Sequence, residues 1–166
     1  MENQEKEIAA KTFQMPMIKL SIIIGFFAGT VGSLLGYLAY SFGFTKITPA
    51  VILAPWDGSW KDGWLGIAIA AFLYGFISIL VALLYYMVFR KQKSLFWGTA
   101  FGIGVFALIF IVLQPLIPGA KTLFNYDLNT ILTELCFFII YGTFIGYSIS
   151  YEYNELLYLK DVKLKH

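Results

Sequence analysis

Residues 20–45, 63–89 and 94–120 contain no Asp, Glu, Lys or Arg, and residues 128–151 contain only Glu134. Each run is long enough to supply the ~20 apolar residues that a helix needs to cross a bilayer core about 30 Å thick. A segment in lipid must satisfy its own backbone, as a helix or within a closed barrel, and these runs lack the alternation of barrel strands. The expected fold class is therefore all-α: a polytopic membrane protein, a bundle of four transmembrane helices. Composition points the same way. The chain is 59% hydrophobic and 13% charged, against roughly 25% charged in soluble domains, which excludes an ordinary soluble globule.

The expected organisation is an N-terminal tail over residues 1–19, a transmembrane domain over 20–151 and a juxtamembrane tail over 152–166. The helices are placed near 20–42, 65–89, 95–114 and 128–151, with loops at 43–64, 90–94 and 115–127. Basic residues sort the loops into two sides. Lys6, Lys11, Lys19, Arg90, Lys91, Lys93, Lys160, Lys163 and Lys165 fall on the side of both termini, and Lys46, Lys61 and Lys121 on the other. Nine against three predicts cytoplasmic termini by the positive-inside rule. The first helix reads as a retained span rather than a secretory signal, because its apolar run is too long and Glu2, Glu5 and Glu7 acidify the segment before it.

Small residues recur at steps of three or four along every helix, the spacing that places them on one face. Helix 1 carries Gly25, Gly29, Gly32 and Gly36, and helix 2 carries Ala71, Gly75 and Ser78. Helix 3 has Gly98 with Gly102 on one face and Ala100, Gly104 and Ala107 on another, and helix 4 has Gly142 and Gly146. Between helices in lipid there is little hydrophobic force, so close backbone approach supplies the attraction. These faces are expected to pack the bundle, with a surplus face on helix 1 or helix 3 open to self-association. The five-residue loop from Arg90 to Ser94 predicts a tight hairpin of helices 2 and 3. Gly29-Thr30 and Gly142-Thr143 hint at a repeat, but the halves match no further. Trp56, Trp60 and Trp64, close together in loop 1, predict an interfacial anchor.

Chemistry has few candidates. Glu134 is the one ionisable group inside an apolar run, so it heads a candidate intramembrane polar site with Gln114, Tyr141 and Ser148. At 100° per residue Tyr141, Ser148 and Glu152 share one side of helix 4. Glu134 lies only two turns beyond Asp127, which with Asn125 is a candidate cap for that helix, so an interfacial position with a bond to Gln114 is the competing reading. No catalytic residue, cofactor or metal site is expected. The only histidine is His166, and Cys136 is the only cysteine, so neither a metal cluster nor a Ser, His and Asp set can be assembled. Scattered positive charge gives no footprint for nucleic acid, and no small-molecule substrate can be identified. The expected partners are the lipid bilayer and, beyond it, other membrane proteins or a second copy.

The run Tyr141-Gly-Thr-Phe-Ile-Gly-Tyr-Ser-Ile-Ser-Tyr-Glu-Tyr-Asn-Glu-Leu156 resembles the conserved membrane protein family YqhR of Bacillus and related endospore-formers. Gly36-Tyr-Leu-Ala-Tyr40, Thr48-Pro-Ala-Val-Ile-Leu-Ala-Pro55 and Pro115-Leu-Ile-Pro118 resemble the corresponding stretches in the same order. The resemblance implies a small four-helix protein of the bacterial plasma membrane and transfers no functional residue. Two function classes follow. One is a non-enzymatic accessory or scaffold protein, and the other a small transporter or channel subunit with a polar path near Glu134. A lipid-acting enzyme is disfavoured by the missing catalytic groups.

Overall fold

The computed structural model describes the backbone of residues 17–56, 58–89, 91, 92, 94–113 and 125–164. Four apolar helices are each long enough to cross a membrane. Helix α1 is Met17–Ser41 and α2 is Trp64–Phe89. Helix α3, Leu95–Ala107, continues as a π-helical turn over Leu108–Leu113. Helix α4 is Leu128–Leu164, one unbroken helix of 37 residues. At 1.5 Å per residue it is about 55 Å long, well beyond a ~30 Å hydrocarbon core. The segment 152–164 therefore continues the span as a rod. Helix α1 begins three residues before the expected boundary at residue 20, because Met17, Ile18 and Lys19 join the helix after Pro16.

An even number of spans puts the start of α1, the α2–α3 loop and the end of α4 on one side, here the terminal face. The α1–α2 connection occupies the other, here the loop-1 face. At the end of α1, Gly43 adopts φ +76°. Its N–H bonds the Tyr40 carbonyl at 3.0 Å and the Phe44 N–H bonds the Ala39 carbonyl at 2.9 Å, the paired bonds of a Schellman cap that requires glycine at this position. Loop 1 then forms two short 3-10 turns, Pro49–Leu53 and Ser59–Asp62. Thr48 caps the first through its hydroxyl, and Leu53 is buried beneath it.

Only 17–28% of each span is buried within the chain, so most of the apolar surface faces outward. Phe27, Leu38, Phe72, Leu80, Met87 and Ile140 are all exposed, an arrangement at home in acyl chains and hazardous in water. Packing inside is governed by the small residues. A Cβ on Gly25 would stand 2.8 Å from Ala82 Cβ and from the Ser78 carbonyl, and one on Gly29 would overlap Ser78 and the Tyr74 carbonyl. Thus α1 and α2 touch backbone to backbone along Gly25, Gly29, Ser78 and Ala82. Gly75 faces Phe26 and Thr30, and Ala71 is buried. A second seam joins α3 to α4, where Gly98 and Gly102 lie directly on Gly142 and Gly146.

Two expectations change. Gly32 is not part of the helix 1 seam: nothing lies within 4 Å of where its Cβ would be. The contact line passes through Ser33 instead, which is buried, and Gly36 meets the ring of Pro49 at 3.3 Å rather than another helix. Helices α2 and α3 are adjacent in sequence but do not form a close backbone pair. Tyr85 and Phe89 hold them apart with aromatic contacts to Phe101, at 5.0 and 5.9 Å between ring centroids, and Phe89 meets Trp97 at 5.6 Å. The close pairs are α1 with α2 and α3 with α4, and α4 also packs on α1 and α2. Ala28, Ala82, Tyr85, Ile145 and Ile149 form the buried centre where α1, α2 and α4 meet.

Candidate functional site

The Schellman cap of α1 turns the chain so that Phe44 to Ile47 lie across the first two turns of α4. Thr45, 2% exposed, donates its hydroxyl to Glu134 Oε1 at 2.7 Å, and the Ile47 N–H bonds Thr45 Oγ1 at 3.2 Å. Around this pair the Lys46 N–H donates to Thr130 Oγ1 at 3.2 Å, and the Thr133 hydroxyl donates to the Phe44 carbonyl at 3.1 Å. Asp127 stands immediately before α4, as expected of a cap. Its carbonyl accepts from the Ile131 N–H at 3.2 Å, and its carboxylate accepts from the Thr130 hydroxyl at 2.9 Å and pairs with Lys46 Nζ at 3.1 Å. The result is a polar clasp that ties loop 1 to α4.

The hydrogen bond from Thr130, followed by that from Lys46, holds the Asp127 carboxyl below the usual carboxylate range. A lowered value in the folded state means that the contribution is complete above about pH 4 and is lost as the pH falls through the lowered value. Tryptophan fluorescence of loop 1 in nanodiscs is therefore expected to show an acidic transition that Asp127→Asn removes. Burial, and behind it the Glu134 carboxylate, pushes the Tyr126 phenol up.

Glu134 itself is half-buried and hydrogen-bonded by a threonine. Glu134→Gln keeps an acceptor for Thr45 and is expected to leave stability nearly unchanged. Glu134→Leu strands the buried Thr45 hydroxyl and is expected to cost about 1–3 kcal/mol. Comparative unfolding of the two variants in one detergent measures the difference.

Three further polar pairs join helices, whereas the buried Ser21 and Thr30 hydroxyls on α1 have no hydrogen-bond partner. Tyr141 shares a 2.6 Å hydrogen bond with Ser78, linking α4 to α2. Tyr85 and Ser150 share one at 3.2 Å between the same helices, and Thr99 and Thr143 one at 3.0 Å between α3 and α4. Ser148 is half-buried and takes no part in these bonds. Gln114 lies outside the described residues. Of the candidate polar site, Glu134 and Tyr141 thus bond separate partners, Thr45 and Ser78. Trp56, Trp60 and Trp64 are all exposed at the loop-1 face, Trp64 at 75%, where indoles favour the headgroup zone.

Thr45, Thr130, Tyr85 and Thr99 were not singled out from sequence, nor were Ser150 and Thr143 as hydrogen-bonding groups. A hydroxyl in a helix bonds its own backbone as readily as a neighbour, so only the three-dimensional register distinguishes them. A faint signal exists for Tyr85: Gly146 leaves room for its phenol, whose oxygen would lie 3.0 Å from a Cβ there. Among the described residues no group of three or more His, Cys, Asp or Glu side chains has metal-binding geometry. Chemically the clasp holds two carboxylates, Glu134 bonded by Thr45 and Asp127 by Thr130 and Lys46, each engaged by its own partners.

Comparison with known proteins agrees with this architecture. The Bacillus subtilis (strain 168) protein described as "Uncharacterized protein YqhR" is 41% identical over 133 residues, covering 80% of this chain and 75% of that protein. No solved structure matches. The family described as "Conserved membrane protein YqhR" matches residues 1–163, and the chain belongs to that family.

Proposed function

We propose that the protein is a non-enzymatic accessory or scaffold protein of the bacterial plasma membrane, with both termini in the cytoplasm. The observation that carries this reading is the pairing of four polar groups of α4 with other elements. Glu134 bonds loop 1, Tyr141 and Ser150 bond α2, and Thr143 bonds α3, so this polarity is spent on holding the chain's elements together. Transport needs a hydrated path reaching both faces, whereas the glycine seams bring α1 against α2 and α3 against α4 at backbone contact. The nine-to-three distribution of basic residues supports the orientation. Helix α4, prolonged beyond its span, gives such a protein a stiff cytoplasmic handle.

Crosslinking in intact cells tests the reading. Cys136 is exposed on α4 and serves as a native attachment point. A discrete adduct with one other membrane protein, reproduced from a photoreactive residue at Phe144, is expected. Self-adducts alone, together with solute flux, would instead favour the transporter.

A further inference from the structure

At the terminal face α4 continues past the start of α3 and leaves a groove of about 470 Å³ between them. Its floor is Gly146 and Ser150, close to where the α3–α4 seam ends. One wall is Ser94 with Leu95, at the beginning of α3, and the other is the α4 face carrying Tyr147, Tyr151, Asn154, Glu155 and Tyr158. The groove grades from apolar to polar along α4. Leu95 and Tyr147 line it within the span, whereas Asn154 and Glu155 line it beyond the level at which α3 begins.

Three of its side chains are tyrosines, each more than half exposed. Tyr147 and Tyr151 stack at 5.6 Å and 26°, presenting ring faces of the kind that attract cations. Asn154 has its amide nitrogen fixed by the Ser150 carbonyl at 2.6 Å, which leaves its oxygen as an acceptor. Glu155 adds a carboxylate, with Glu152 one turn away on the same helix. The loop that leads into Ser94 carries Lys91, which is exposed.

We propose that this groove seats the headgroup of an amine-bearing phospholipid. The ammonium sits among Tyr147, Tyr151, Tyr158 and Glu155, and the phosphate lies toward Lys91 and the start of α3. The apolar wall beside Leu95 opens to the bilayer, which favours a lipid over a soluble cation or a peptide. A carboxylate in the lining disfavours a purely anionic headgroup, and a primary ammonium can donate hydrogen bonds to Glu155 and Asn154 that a quaternary one cannot. The site is independent of the orientation and the scaffold role proposed above.

The test is lipid retention in native mass spectrometry of the full chain, with phosphatidylethanolamine, phosphatidylcholine and phosphatidylglycerol offered at equal concentration. Phosphatidylethanolamine is expected to be retained about tenfold over phosphatidylcholine, and Glu155→Gln is expected to erase that preference, in line with loss of a charge-assisted hydrogen bond. Glu134→Gln, far along α4, should leave it intact. Because Glu155 is exposed, its replacement preserves the fold, and an unchanged circular dichroism melt verifies this. Equal retention of all three lipids, a preference for phosphatidylglycerol, or a preference that survives Glu155→Gln would each overturn the proposal. So would equal destabilisation of Glu155→Gln in vesicles of phosphatidylethanolamine and of phosphatidylcholine, which would make Glu155 a partner of the adjacent basic loop instead.

Discussion

Gly142→Leu is expected to lower the stability of the bundle by about 3 kcal/mol or more, the upper range for overpacking a close contact. Any Cβ on Gly142 would overlap the backbone of Gly102, and the Gly98 carbonyl is only 2.6 Å from the same point. The obstruction is backbone on a facing helix, so a side-chain rotamer change cannot relieve it and α3 must move away. That displacement would also break the Thr99–Thr143 bond and open the aromatic cluster of Phe106, Phe110 and Phe138. Gly104→Leu is the control. Nothing lies within 4 Å of a Cβ at Gly104, and a change of no more than about 0.5 kcal/mol is expected there. Denaturant unfolding followed by circular dichroism in a single detergent compares them, and equal losses would mean that α3 presents its other face to α4.

Gly29→Leu is expected to have an effect of similar size at the second seam, for the same reason: a Cβ there would collide with Ser78 and the Tyr74 carbonyl. Its consequences reach α4 as well. Ser78 bonds Tyr141 at 2.6 Å, so pushing α2 away from α1 disturbs the bond that links α2 to α4. Three residues along α1, Gly32→Leu is expected to be nearly silent, because that position faces open space. The pair of variants separates a real contact from a recurrence of small residues. In the same denaturant titration, a Gly32→Leu loss as large as that of Gly29→Leu would show that α1 is rotated relative to its packing described above.

That contrast also shows how much the sequence could disclose. Four spans were legible because excluding charge over 20 or more residues, Glu134 alone excepted, marks segments suited to lipid. The small-residue faces of α1, α2 and α4 were legible because helical periodicity is fixed. Which glycine on a face makes contact was not, since crossing helices diverge and a seam runs for only two or three turns before the line shifts, here from Gly29 to Ser33. On α3 the sequence presented two small faces, and spacing alone could not choose Gly98 and Gly102 over Ala100 and Gly104.

The same limit applies to Glu134. Its isolation in an apolar run marked it, but the residue that holds it, Thr45, lies 89 positions earlier, beyond a glycine turn whose geometry decides where loop 1 lands. Tyr141 shows the same limit. Spacing placed it on a polar side of α4, and only the packing reveals its hydrogen bond to Ser78 on α2.

Proton flux in proteoliposomes decides whether the intramembrane polar groups are ties between helices or steps in a path. The purified chain would be reconstituted with an enclosed pH-sensitive dye and challenged with a pH gradient under a potassium-clamped potential. Flux no greater than in protein-free vesicles is expected, identical for the native chain and Glu134→Gln. Flux that rises with protein content and disappears in Glu134→Gln, with the bundle still folded, would contradict it.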